Sequence, residues 1–99
     1  MEEIIEIEIY CKEGKHIPPG RKYRIKVDNK TYEVPQSLLG KQILELAGKI
    51  PVTRFQLNQK LRGGHVKKIG YDEIVDFTTP GIEKFMTLPL DQTEGGYEK

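Results

Sequence analysis

Only one stretch of this chain, Leu38 to Ile50, spaces its apolar residues as a helix does. Leu39, Ile43, Leu46, Ala47 and Ile50 recur at steps of three and four, which stacks them on one face, while Lys41, Glu45 and Lys49 point elsewhere. Glu45 and Lys49 stand four apart in the favourable order. Gly40 argues against a much earlier start, and Gly48 followed by Pro51 marks the end. A single amphipathic helix must lie on something. The rest of the chain is therefore read for the surface that receives it.

That surface reads as strands. Ile4 to Cys11 alternates Ile5, Ile7 and Ile9 against Glu6, Glu8 and Tyr10, which predicts a half-buried strand with its glutamates in water. Lys12 to Gly20, with its glycines and the Pro18-Pro19 pair, reads as a connector, so the first strand is an appendage to the later elements. Lys22 to Asp28 alternates again, with Tyr23, Ile25 and Val27 on one face, and Asp28-Asn29 supplies turn residues before Thr31 to Val34. This is a hairpin pattern closed by Pro35.

Beyond the helix, Phe55 and Leu57 alternate with Arg54, Gln56 and Asn58, continuing to Leu61, and Gly63-Gly64 breaks the run. His65 to Ile69 resumes as a short strand. Gly70 to Glu73 forms a loop, with Ile74, Val75 and Phe77 buried behind it. Pro80-Gly81 turns the chain into a final strand, Ile82 to Leu88, ended by Pro89. Hairpin, helix and returning strands make an α+β two-layer domain, one helix across one mixed sheet. The element order places the last strand in the middle of the sheet beside the first strand of the hairpin, the β-grasp arrangement. The expected division is residues 1–20 as N-terminal strand and connector, 21–89 as the domain, and 90–99 as a mobile polar tail.

Composition narrows the function. At 99 residues there is room for one domain, burying roughly 60 to 65% of its unfolded surface. Sixteen basic and 15 acidic residues leave a net charge of +1, and they are dispersed, so neither nucleic acid nor a membrane surface is indicated as a partner. No apolar run approaches a membrane span, and Glu2 and Glu3 after Met1 are unlike an export leader, so the expectation is a cytoplasmic chain. Cys11 is the only cysteine and reads as a small buried apolar group. His16 and His65 lie far apart without ligand clusters, which indicates no metal and no cofactor. With no nucleophile beside a base and no phosphate-loop spacing, the chain does not read as an enzyme.

Several words in the chain carry a resemblance. They are the strand Tyr23 to Asp28, Tyr32-Glu33-Val34-Pro35, Gly40-Lys41-Gln42-Ile43-Leu44, Leu46-Ala47-Gly48-Lys49, and the block from Val75 through Pro80-Gly81-Ile82-Glu83 to Phe85. Through these the chain resembles the ubiquitin-like β-grasp proteins, most closely the bacterial multiubiquitin-type domain, over about Lys22 to Pro89. The resemblance implies a protein modifier encoded beside an activating enzyme, a conjugating enzyme and a metal-dependent deubiquitinase-like peptidase, in a bacterial, antiviral setting. It also places the chemistry in the tail. Gly95-Gly96 is followed by Tyr97-Glu98-Lys99, so cleavage between Gly96 and Tyr97 would free the Gly96 carboxylate for adenylation, thioester transfer and isopeptide formation on target proteins. Glycines lack a Cβ and can thread narrow enzyme channels.

The internal Leu61-Arg62-Gly63-Gly64 reproduces the end of ubiquitin but reads as a loop, because cleavage there would remove Ile74 to Leu88 from the core. Asp91 and Glu94 stand where ubiquitin carries arginines, which points to a dedicated activating partner. Two other functions fit the same elements. One is a β-grasp sulfur carrier with a C-terminal thiocarboxylate, although such carriers usually end on the double glycine. The other is a self-assembling or binding module that uses the N-terminal strand, although that strand can equally pair within its own sheet.

Overall fold

The computed structural model describes residues 4–20 and 22–90. The hairpin is formed by β2 (Lys22–Val27) and β3 (Lys30–Val34), antiparallel, with Val27 opposite Lys30 across a two-residue turn. Asp28 and Asn29 take φ of 50° and 70°, the left-handed region in which short polar residues sit readily. β5 (Phe55–Leu61) and β6 (Val66–Ile69) form a second antiparallel pair around the loop holding Gly63 and Gly64, at φ of 90° and 91°. The Leu61-Arg62-Gly63-Gly64 word is thus a turn between strands. β8 (Ile82–Pro89) runs antiparallel to β5 and parallel to β2, where Val27 faces Phe85. The last strand lies in the middle of a mixed six-stranded sheet, beside the first strand of the hairpin, as the element order implies.

The N-terminal segment departs from its expected form. Only β1 (Ile4–Glu6) is a strand, and Ile7–Glu13 is a helix, α1. β-branched alternation favours a strand locally, but tertiary burial overrides it. Ile7 and Cys11, one helical turn apart, are both buried, whereas Ile9 is 49% exposed. Gly14 ends the helix at φ 69°, where its N–H reaches the Cys11 carbonyl at 3.1 Å and the Lys15 N–H reaches Tyr10 at 3.0 Å. The connector is not loose either: Ile17 is buried, and Tyr23 donates its hydroxyl to the Pro18 carbonyl at 3.0 Å.

β1 pairs in parallel with Lys22 to Arg24 of its own chain. Since β3 occupies one side of β2 from Tyr23 to Val27, β1 and β8 share the other side. Glu8 reaches Lys26 at 3.1 Å. Lys26 alternates with the buried Ile25 and Val27, so α1 covers part of the face away from the core.

The central helix is shorter than its periodicity suggests. β4 (Ser37–Leu39) pairs with β7 (Ile74–Asp76) as a separate two-stranded ribbon, and α2 spans Gly40–Leu46. Its buried residues are Gly40, Ile43 and Leu44, with Ala47 half-buried, while Leu46 and Ile50 are 40% and 68% exposed. The stripe is therefore rotated from the expected one, and Leu39 sits in the ribbon. The cause lies in the loop after β6. Gly40 donates to the Glu73 carbonyl and Lys41 to the Tyr71 carbonyl, both at 2.9 Å, so a distant backbone sets where the helix begins. Ile74, expected inside, is 69% exposed because β7 turns Val75 inward. Ile43 and Leu44 complete a core with Tyr23, Ile25, Val27, Leu57, Phe77 and Phe85, the last two meeting edge to face at 6.1 Å.

Candidate functional site

The residues singled out for tail chemistry, Gly95, Gly96 and Tyr97, lie outside the described residues. The described structure contains the strand that precedes them in the chain, β8. β8 is paired with β5 from Ile82 to Pro89, with Leu57 opposite Thr87 and Phe55 opposite Pro89, and one register shift near Leu61. Past Pro89 the Leu90 N–H still donates to the Arg54 carbonyl at 2.8 Å, so the sheet holds the chain to residue 90. On the opposite side Asp28 secures β8. One carboxylate oxygen accepts the Thr87 N–H at 2.9 Å and the other accepts the Thr87 hydroxyl.

Beside this exit lies a groove of about 170 Å³ lined by Gln56, Lys68, Ile69, Gly70, Tyr71 and Leu90. Tyr71 forms its wall by donating its hydroxyl to the Phe55 carbonyl at 2.7 Å. Gly70 is held by Glu73, whose carboxylate accepts the Gly70 N–H at 3.0 Å and meets Lys67 at 3.0 Å. The Gly70 amide and then Lys67 keep the Glu73 carboxyl below its ordinary pKa. Lys49 stands 5.6 Å above the Phe55 ring and 3.9 Å from Asp28, which places a cation at the same end of the sheet. This end of the sheet, where the described chain reaches Leu90, has apolar surface on one side and Lys49, Lys67 and Lys68 nearby. The Asp28–Thr87 tie and the Tyr71 anchor were not legible in the sequence, because each joins residues through the fold and no local pattern marks them.

Nothing assembles around the other candidate groups. Among the described residues no three His, Cys, Asp or Glu side chains gather as a cation site, and His16 and His65 are both exposed. Cys11 is 3% exposed. Burial and the nearby Glu83 push its thiol pKa up against the pull of Arg62, which disfavours the nucleophilic thiolate. Among the described residues no helix is long and apolar enough to cross a membrane.

A family model described as multiubiquitin matches residues 23–89, from the second residue of β2 to the end of β8. The matched span takes in the hairpin, α2, the ribbon and the central strand, and leaves β1 and α1 outside. No curated protein and no solved structure matches the chain significantly.

Proposed function

Because this chain belongs to the multiubiquitin family of ubiquitin-like domains, we propose that it is a protein modifier whose Gly96 carboxylate is the reacting group. A peptidase hydrolyses the Gly96–Tyr97 peptide bond and releases Tyr97-Glu98-Lys99. The freed carboxylate attacks the α-phosphorus of ATP in an activating enzyme and expels pyrophosphate. An enzyme thiol then displaces AMP to form a thioester. Finally a target lysine amine displaces the thiol, directly or through a conjugating enzyme, and forms the isopeptide bond. A metal-dependent deubiquitinase-like peptidase is the natural maturation partner, and a bacterial cytoplasm with an antiviral role belongs to the same reading.

What supports this reading is the family match together with the position of β8. A central strand paired to its last residue and tied by Asp28 anchors the base of the tail. Gly96 lies six residues beyond Leu90, a covalent reach of at most about 21 Å. That length lets the glycines enter a channel while the domain stays outside it. Co-expression with the neighbouring peptidase and ligases, followed by intact-mass spectrometry, tests it. The expected outcome is loss of the last three residues and attachment to other proteins through Gly96. Retention of Tyr97-Glu98-Lys99 refutes the proposal, and exchange of one terminal oxygen for sulfur would identify a sulfur carrier instead.

A further inference from the structure

We propose that the pocket between β6 and β7, floored by Gln59, is a binding site for an arginine side chain of a partner protein. Gln59 alternates with the core residue Leu57 along β5 and lies opposite the core residue Phe85, so it points to the core side of the sheet. It is 7% exposed, and among the described residues it is the one buried polar side chain. Its amide nevertheless makes no hydrogen bond to a described residue. An apolar side chain is the ordinary occupant of such a position, because an amide out of water without a partner costs free energy. Here the amide faces a cavity of about 110 Å³ whose lining includes the exposed Ile74, Asp76 and Thr79. One water needs only roughly 10–15 Å³ of such space. The cavity therefore has room for more than a single water and admits a side chain from outside.

The lining selects the occupant. Ile69, Val75 and Ile82 give apolar walls, and Ile74 adds a large apolar side chain that the fold leaves 69% exposed. The charged groups are two carboxylates, Glu73 and Asp76, against the one ammonium of Lys67. Glu73 is already engaged, by the Gly70 N–H and by Lys67, each at 3.0 Å. Asp76 is not. One of its oxygens accepts both the N–H and the hydroxyl of Thr78, and it makes no ion pair with a described residue. Those two bonds hold its carboxyl below the ordinary carboxylate range, so it is charged at neutral pH. The fitting occupant thus brings an apolar stem for Ile74, a donor for the Gln59 amide oxygen and a positive charge for Asp76. An arginine side chain supplies all three, and its rigid planar fork presents donors in more than one direction, where a lysine offers a compact point charge.

The test uses the full chain, labelled with nitrogen-15, and Nα-acetyl-arginine methylamide as the probe, with the lysine and citrulline analogues beside it. Citrulline keeps nearly the shape of arginine but carries no charge. The arginine probe is expected to shift the Gln59 side-chain amide and the backbone amides of Ile74 to Thr79 along a saturable millimolar curve. The lysine probe should bind about tenfold more weakly, and the citrulline probe should not saturate. Asp76→Asn, which keeps an oxygen for Thr78, should weaken arginine binding about tenfold. Gln59→Leu should abolish binding while the melting temperature holds or rises, since an apolar side chain of similar size removes an unpaired amide. No shift at high-millimolar arginine probe, equal binding of the citrulline probe, full affinity in Asp76→Asn, or a lower melting temperature in Gln59→Leu overturns the proposal. Processing of the tail has no part in these measurements, so the result stands apart from the modifier reading.

Discussion

Replacing Gly40 by alanine tests what positions the central helix. A Cβ built on Gly40 would lie 2.2 Å from the Gly70 carbonyl oxygen and 3.1 Å from both the Gly70 carbonyl carbon and Ile69 Cγ2. The obstacle is largely backbone, so no side-chain rotation relieves it. Either α2 or the Gly70–Glu73 loop must move, and movement breaks the bonds from Gly40 N–H to Glu73 and from Lys41 N–H to Tyr71. Two such bonds contribute about 1–3 kcal/mol and the steric insertion costs about 1–3 kcal/mol, against about 1 kcal/mol gained from alanine's helix propensity. The net destabilisation is about 1–5 kcal/mol, centred at about 3 kcal/mol, where the fall in melting temperature is about 12–24 °C for a domain of this size. Thermal unfolding followed by circular dichroism reads it. Gly48→Ala serves as the control, because nothing lies within 4 Å and only its φ of 77° opposes a side chain; it should cost about 1–2 kcal/mol. A Gly40→Ala protein melting at or above the parent temperature would show that propensity outweighs the contact and that the loop does not set the helix start.

Other outcomes rest on burial and charge. Ile7 is fully buried although it lies before the family-matched span, so Ile7→Ala should cost about 2–5 kcal/mol in urea unfolding; an unchanged midpoint would make the N-terminal segment a passive appendage. Acid should destabilise the fold through three carboxyls held below their ordinary values. In Glu8 burial pulls the other way but is outweighed by Lys26 and Lys12; in Glu73 the Gly70 amide leads, and in Asp76 the Thr78 hydroxyl and amide. Their folded values lie below the unfolded ones, so their contribution is complete above about pH 5 and is lost as pH falls through the folded values. The urea midpoint should be flat from about pH 7 to pH 5 and decline below that, and a midpoint that rises on acidification contradicts the assignment. Cys11, buried and with its thiol pKa raised, should react with iodoacetamide far more slowly than free cysteine until the chain is unfolded.

Local pattern by itself determined much of this protein. Alternation of Tyr23, Ile25 and Val27, the Asp28-Asn29 turn, the Gly63-Gly64 break and the strand from Ile82 are encoded within a few residues of one another, since period-two burial and left-handed turn residues act at short range. Only the tertiary structure decided the rest. Ile7 to Glu13 became a helix and Gly40 became the starting point of α2 because burial of Ile7 and Cys11, and a carbonyl from Gly70, act across the fold. The same holds for the buried Leu44 in place of Leu46, and for the Asp28–Thr87 tie that secures β8. Short apolar segments suit either helix or strand, and the choice goes to whichever buries them against surfaces that arrive from far along the chain.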